Sequence, residues 1–431
     1  MPSFSIPLSG LSASQQALSV IANNLSNMNT VGYKNEEINF KDLFYQTLGT
    51  TGSGNSLQVG SGVGVGAISG NFTEGTVEST GISTDVAING NGFLVTQSNG
   101  QTEYTRAGNL QVSDSGYLTT QDGQYVMGYP ATGGVISNSS LSPLQVGTGS
   151  TVPATATTSM DMTLNLNASS DTGTSFSTPM TVYDSLGTAH TLTYSFTKTD
   201  ANTWSYQVTV PSSDLTVDPQ TGAAITPTTT QYQAQVASGT MSFDNNGVLT
   251  SVNGTSVSST NSSVSGINLS NLSDGASSMN MSWDLLNSSG GGLVTQTSAS
   301  SANPNSSQNG FASGTLQSFS IGTDGTIEGS FSNGQTLAIG QLVLAQFGNN
   351  NGLTRTGDNS YQATVASGQA AIGIPGSGGL GQLNGGKLEQ SNVDMATQFS
   401  DMIINQSGYE ANAKVISTFN QIVQDTINIE R

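Results

Sequence analysis

The sequence has no cysteine and one histidine, His190. Without cysteine there is no disulfide, thiolate metal site or cysteine nucleophile. With a single imidazole, a Ser-His-Asp triad or a histidine-based metal site would rest wholly on His190, for which a turn or core position is the simpler reading. Charge is scarce as well. Charged residues make up 8% of the chain, against about 25% in ordinary soluble domains, and they divide into 8 basic and 27 acidic, for a formal net charge of -19. That balance repels nucleic acid and anionic membrane surfaces, so neither is an expected partner. No lysine or arginine precedes Lys34, and no apolar run of about 18 residues occurs. Neither a cleavable secretory signal nor membrane insertion is therefore expected.

What the 431 residues do contain is glycine, at 53 positions, with serine, threonine and asparagine carrying the polarity. Length allows two to four domains, and this composition suits β-rich extracellular or cell-surface material. The two ends read differently. Met395, Met402, Tyr409, Ile416 and Val423 recur every seventh residue, with Phe399, Gln406, Ala413, Asn420 and Ile427 four places after each. This is an a/d seam on one long helix of about 55 Å at 1.5 Å per residue. Ser391 and Asp394 have the spacing of a capping box at its start. Near the N-terminus Leu11, Leu18 and Leu25 repeat with Ser14, Ile21 and Met28. Pro7 fits a first helical turn and Gly32 a helix stop. A narrow stripe of this kind needs a partner, so the ends are expected to pair as coiled-coil-like helices and to be completed by neighbouring copies. Gly408 costs about 1 kcal/mol relative to alanine, another sign of a helix held from outside.

Between the ends the pattern is that of strands. Residues 31–70 read as a Gly- and Ser-rich connector. Residues 71–147 carry Phe93-Leu94-Val95, Tyr104 to Leu110 and Tyr125-Val126-Met127 between Asn-Gly and Asp-Gly turns, which are hairpin signals. Residues 148–305 hold the clearest hairpin: Leu192, Tyr194 and Phe196 alternate up to a turn at Asp200-Ala201-Asn202, then Trp204, Tyr206, Val208 and Val210 alternate back. Strand signals return over 306–387. The expected fold class is mainly β with long terminal α-helices and nested β domains: 1–30 with 388–431 as an inner helical core, 71–147 with 306–387 as a first β domain, and 148–305 inserted into it as the outer one.

Catalytic, metal and cofactor sites are not expected. Gly376, Gly378 and Gly381 satisfy G-x-G-x-x-G, but no helix opens after them and no acidic residue follows at the required distance. Asp122-Gly123 and Asp244-Asn245-Asn246-Gly247 lack the spaced ligands of an EF-hand loop. A glycoside hydrolase would need two acids converging in a cleft, of which the sequence gives no positive sign.

The segment Asn23, Asn24, Leu25, Ser26, Asn27, then Asn29, Thr30, Gly32, Tyr33 and Lys34 resembles the N-terminal signature of the bacterial flagellar rod and hook proteins, the axial family. Ser391-Asn392-Val393-Asp394, Gln406, Tyr409, Asn412 and Lys414-Val415-Ile416 resemble the family's terminal helix. Asn89-Gly90-Asn91-Gly92-Phe93, Gly128-Tyr129-Pro130, Thr181 to Gly187 with His190, and Gly340 to Phe347 are similar to the hook branch. The resemblance covers roughly residues 1–150 and 306–431, with Thr181 to His190 lying between them. Length and the His190 and Leu342 regions favour the hook over the distal rod. One departure is that Ser407 and Gly408 follow Gln406 where the family usually has an arginine. A surface adhesin would share the composition but has no need of matched heptads at both ends.

The resemblance implies a structural, non-enzymatic subunit of a helical homopolymer: a curved tube acting as a universal joint between rod and filament, lined inside by the terminal helices. It further implies a place in the extracellular part of the flagellum, export by the flagellar type III apparatus without a cleaved signal, and rod, hook-cap and hook–filament junction proteins as partners. No cofactor is implied.

Overall fold

The computed structural model describes residues 4–50, 54, 56–147, 150–226, 231–258 and 261–429. The chain forms two compact units. One comprises residues 1–150, 317–330 and 336–431, the other residues 151–316 and 331–335. Each is mostly β, and the described residues form two α-helices, α1 (Ser5–Ser26) and α2 (Met395–Ile429), both in the first unit.

In the first unit, segments far apart in sequence share one antiparallel sheet. Strand Phe93–Ser98 pairs with Gln101–Thr105 on one side and Tyr125–Thr132 on the other. The last of these pairs with Thr336–Leu342, and Leu94 lies opposite Leu344. Alternate side chains feed two separate cores. Leu94, Val126, Leu342 and Leu344 pack on one face with Val86, Ile88, Leu118 and Leu383. Phe93, Val95, Met127, Val343 and Ala345 pack on the other with Tyr104, Phe347 and Tyr361. Burial on both faces explains why Phe93 to Val95 and Leu342 to Ala345 read as unbroken apolar runs rather than alternating ones. The run 340–347 is split at Val343, because Thr336–Leu342 and Leu344–Gln346 take different strand partners.

The stretch 31–70, expected as a connector, contains ordered pairing. Glu36–Asp42 lies antiparallel to Val63–Gly70, with a register shift at Asn39/Phe40, and Gln46–Thr50 pairs with Ser56–Val59. The first hairpin lies against α1, where the Val63 N–H donates to Ser9 Oγ at 3.1 Å. The sequence hid it because its side chains are mostly exposed or half-buried, so no core-facing alternation develops.

The second unit is a two-sheet sandwich. An antiparallel six-stranded sheet holds Ser175–Tyr183, Ala189–Asp200, Thr203–Pro211 and Gln233–Phe243 in that order, followed by two short strands. The facing sheet is built around Ser159–Asn167. The hairpin read from the sequence is present, with Tyr194 opposite Val208 and Phe196 opposite Tyr206. Its inward residues meet Met160, Met162, Leu164, Ile267, Met281 and Trp283 from the other sheet. Trp283 sits at the centre, with ring centroids 5.3 Å from Tyr194, 5.9 Å from Tyr206 and 6.0 Å from Phe196 in edge-to-face arrangements. Such pairs add to the area term that drives this core.

Candidate functional site

The two chain ends come together in the first unit. Helices α1 and α2 run antiparallel, as four pairs along their length show. Phe4 and Phe419 meet edge to face at 5.7 Å. Gly10 faces Asn412, Ser14 faces Gly408, and Asn24 Nδ2 donates to Gln398 Oε1 at 3.0 Å. The buried residues of α1 are Pro7, Gly10, Ala13, Ala17, Val20, Ile21 and Asn24. Small side chains there let the helices approach closely. A Cβ at Gly10 would lie 2.8 Å from the Asn412 amide, which is itself held by a 2.9 Å bond to the Gly408 carbonyl.

This contact line is rotated from the expected seam. Of the seam residues only Ile21 is buried; Leu11, Leu18, Leu25 and Met28 are half-buried on the flank of the pair. On α2, Met402, Ala413 and Ile416 are half-buried, whereas Met395, Phe399, Tyr409, Val423 and Ile427 are exposed. Periodicity located both helices but not the face they share, because alanine and glycine, not leucine, line the contact. Further large apolar side chains on α2 stand in solvent, Ile403 and Ile404 each 64% exposed. Helix α2 also continues beyond Phe419, the residue opposite Phe4 at the start of α1.

The start of α2 is capped by Asp394, whose Oδ1 accepts the Thr397 N–H at 2.7 Å. The expected capping box shifts accordingly: Asp394 is the cap itself. Ser391 Oγ instead accepts the Val393 N–H at 3.4 Å, and Val393 is half-buried beside it.

Below the helix pair, the two sequence signatures interlock. Asn24 Oδ1 accepts the Glu36 N–H at 2.9 Å while its Nδ2 reaches the Glu36 carbonyl. Asn23 Nδ2 donates to Tyr33 Oη at 3.1 Å, and Thr30 Oγ1 donates to Asn27 Oδ1. Asn29 is exposed. Gly32 has φ of +68°, and a Cβ there would stand 2.6 Å from the Arg106 backbone, so this turn requires glycine. Asn392 Oδ1 accepts the Asn35 N–H at 2.8 Å and its Nδ2 donates to the Asn71 carbonyl. Gln406 is exposed, and its Nε2 lies 3.5 Å from Glu410 Oε1 on the same helix.

At the centre lies a buried charge cluster. Lys34 Nζ is 2.5 Å from Glu389 Oε1 and donates to the Thr73 carbonyl. Arg106 reaches Glu389 Oε2 at 3.2 Å. Burial pulls the Lys34 ammonium below its ordinary range, opposed by Glu389. Arg355 completes the clasp, pairing with Glu36 at 3.2 Å and lying over the rings of Tyr33 and Tyr361. Glu389, Arg106 and Arg355 were not singled out in the sequence, because isolated charges carry no periodic signal. What distinguished them was only their scarcity.

The comparisons with known proteins match four stretches of the chain. Residues 6–34 match the model for flagella basal body rod protein and 384–429 the one for the C-terminal part of flagellar basal body rod FlgEFG protein. Residues 87–165 match the flagellar hook protein FlgE/F/G D1 domain, and 169–311 the flagellar basal body protein FlaE D2 domain. The flagellar hook protein FlgE of Salmonella typhimurium is 36% identical over 99% of this chain and 100% of its own length. The chain belongs to the flagellar hook protein family. Another relative, the FlgE of Treponema pallidum, is 33% identical over 98% of both chains. The crystal structure of Helicobacter pylori FlgE2 has the same fold, with TM-score 0.51 over 73% of this chain and 100% of that one at 15% identity.

Hook-family membership makes this a structural flagellar protein, and the joined ends are its candidate functional site. No helix of the described residues is long and apolar enough to cross a membrane.

Proposed function

We propose that the chain is the structural subunit of a flagellar hook, and that it polymerises through α1 and α2 into a curved, flexible tube carrying torque from rod to filament. The observation that carries this reading is the apolar surface the helix pair leaves in water. Phe399, Ile403, Ile404, Ile422, Val423 and Ile427 are all exposed on α2. Soluble monomers rarely leave so many large apolar side chains of one helix in water; these lie on several faces of α2, and neighbouring copies on more than one side would cover them. The leucine seam of α1 would serve the same contacts from its flank. The clasp around Glu389 would fix the angle at which the helices leave the β structure, so that torque reaches the helices through a rigid base. Small shifts at many subunit interfaces would then let the tube bend while it turns.

On this reading the protein works outside the cell, leaves by the flagellar export apparatus without a cleaved signal, and meets rod, cap and hook–filament junction proteins at the tube ends. The test is complementation. In a strain lacking its own copy, the wild-type chain restores hooks visible on isolated basal bodies and restores swimming. An exported Ile403→Asp/Ile422→Asp chain that built normal hooks would overturn the proposal.

A further inference from the structure

The second unit contains a buried titratable cluster centred on His190. His190, at the start of strand Ala189–Asp200, is buried. Its Nε2 lies 3.1 Å from Asp184 Oδ2 and its Nδ1 lies 3.0 Å from Asp214 Oδ2. Asp184 stands in the turn that ends at His190, and Asp214 in the short 3-10 helix Ser212–Asp214. A third acid, Asp274, has a carboxylate oxygen within 4.8 Å of a carboxylate oxygen of Asp184 and of a ring nitrogen of His190. Lys198 is the only lysine or arginine in the sequence of this unit. Its ammonium is bound to the carbonyls of Ala168 and Ser170, so it does not neutralise these acids.

A neutral imidazole has one N–H, and a carboxylate only accepts. Two carboxylates at hydrogen-bond distance from the two ring nitrogens are both satisfied only by imidazolium. We propose that His190 is a proton-operated latch, which in its protonated form ties the Asp184 turn to the Asp214 helix and on losing its proton releases Asp214. The release has a direction. Asp184 is fully buried and its Oδ1 is fixed by the N–H groups of Leu186 and Thr188 at 2.8 and 2.9 Å, whereas the Asp214 side chain is partly exposed and can turn to water. The remaining ring proton therefore stays with Asp184, and the Asp214 contact opens. Burial opposes the charge on His190, but the hydrogen bonds to Asp214 and Asp184 outweigh it and raise its pKa above the ordinary 6.5.

The sign follows from linkage. The stabilisation is complete below the unfolded-state value near 6.5 and is lost as pH rises through the higher folded-state value. Local opening should then be felt in the segment beginning at Ser212, which is held by the Ser212–Tyr232 backbone bond and the Leu215–Leu272 bridge.

Because His190 is the only histidine, its ring gives an unambiguous NMR titration in the full chain kept monomeric at low salt. The expected midpoint lies above 6.5, with both ring N–H protons visible at low pH. In Asp214→Asn the midpoint shifts down. Amide exchange over residues 212–216, corrected for its intrinsic pH dependence, accelerates above the wild-type midpoint and loses that step in His190→Gln. A midpoint at or below 6.5, or one unmoved by Asp214→Asn, overturns the latch. So does exchange without a step at the midpoint.

Discussion

Lys34 Nζ and Glu389 Oε1 stand 2.5 Å apart with both side chains fully buried, although 355 positions separate them in the sequence. The same carboxylate also receives the Gly75 N–H and the Arg106 guanidinium. One acid thus joins the beginning of the chain, the first β segment and the entry to α2. Desolvating these charges is costly, so what the cluster supplies is geometry: a unique arrangement at the base of the helices, tolerable only while every member is present.

Replacing Glu389 by glutamine leaves Lys34 and Arg106 as buried cations with no counter-charge. The expected cost is about 3–5 kcal/mol. Both tryptophans, Trp204 and Trp283, belong to the second unit, so the units can be followed separately. In urea, the far-UV helical transition should move to lower denaturant in Glu389→Gln while the tryptophan fluorescence transition stays in place.

Gly10→Leu places a branched side chain against Asn412, where even a Cβ lies at 2.8 Å. Overpacking of this kind costs about 1–3 kcal/mol. Thermal melting followed by the helical signal should show α1 and α2 separating earlier, and Gly10→Ala should shift far less, because a helix-propensity gain of about 1 kcal/mol offsets its contact with Asn412.

Trp283→Ala empties the centre of the second unit and removes three edge-to-face contacts. A loss of about 3–5 kcal/mol is expected. Trp204 remains as the reporter, and its unfolding midpoint in urea gives the value.

Acid should weaken the second unit through Asp184. Burial raises this carboxyl, but a hydrogen bond shared with Asp274 and those received from His190 and the Thr188 and Leu186 N–H groups outweigh that and bring it down to about 2. A depressed carboxylate stabilises the fold above its unfolded value near 4, and the contribution disappears as pH falls through about 2. It amounts to about 2 kcal/mol. Asp184→Asn should flatten this limb of a stability–pH curve read by tryptophan fluorescence.

How much of this was legible beforehand depended on whether burial leaves a period in the sequence. The hairpin from Leu192 to Val210 was readable because one face is buried and the other is wet. Helix α2 was readable because its apolar residues recur every seventh place. The face by which α1 meets α2 was not, since Gly10, Ala13 and Ala17 carry little hydrophobic contrast. The hairpin Glu36–Asp42/Val63–Gly70 reads as a connector in the sequence because no core-facing alternation marks it. The motif asparagines were found by resemblance. Their roles appeared only with the structure, where Asn24 and Asn392 bond to backbone and side-chain groups that the sequence places far away. Glu389 and the His190 cluster depend on groups brought together by the fold, and spacing alone does not show that.

The central claim is that exposed apolar positions of α2 are the assembly surface. Negative-stain electron microscopy of the full chain after salt-induced polymerisation, beside Ile403→Asp/Ile422→Asp, tests it most directly. Both positions are exposed, so the monomer should keep its helical signal. Curved tubes from the wild type and none from the variant are the expected result; tubes of equal number and form from both would contradict the account.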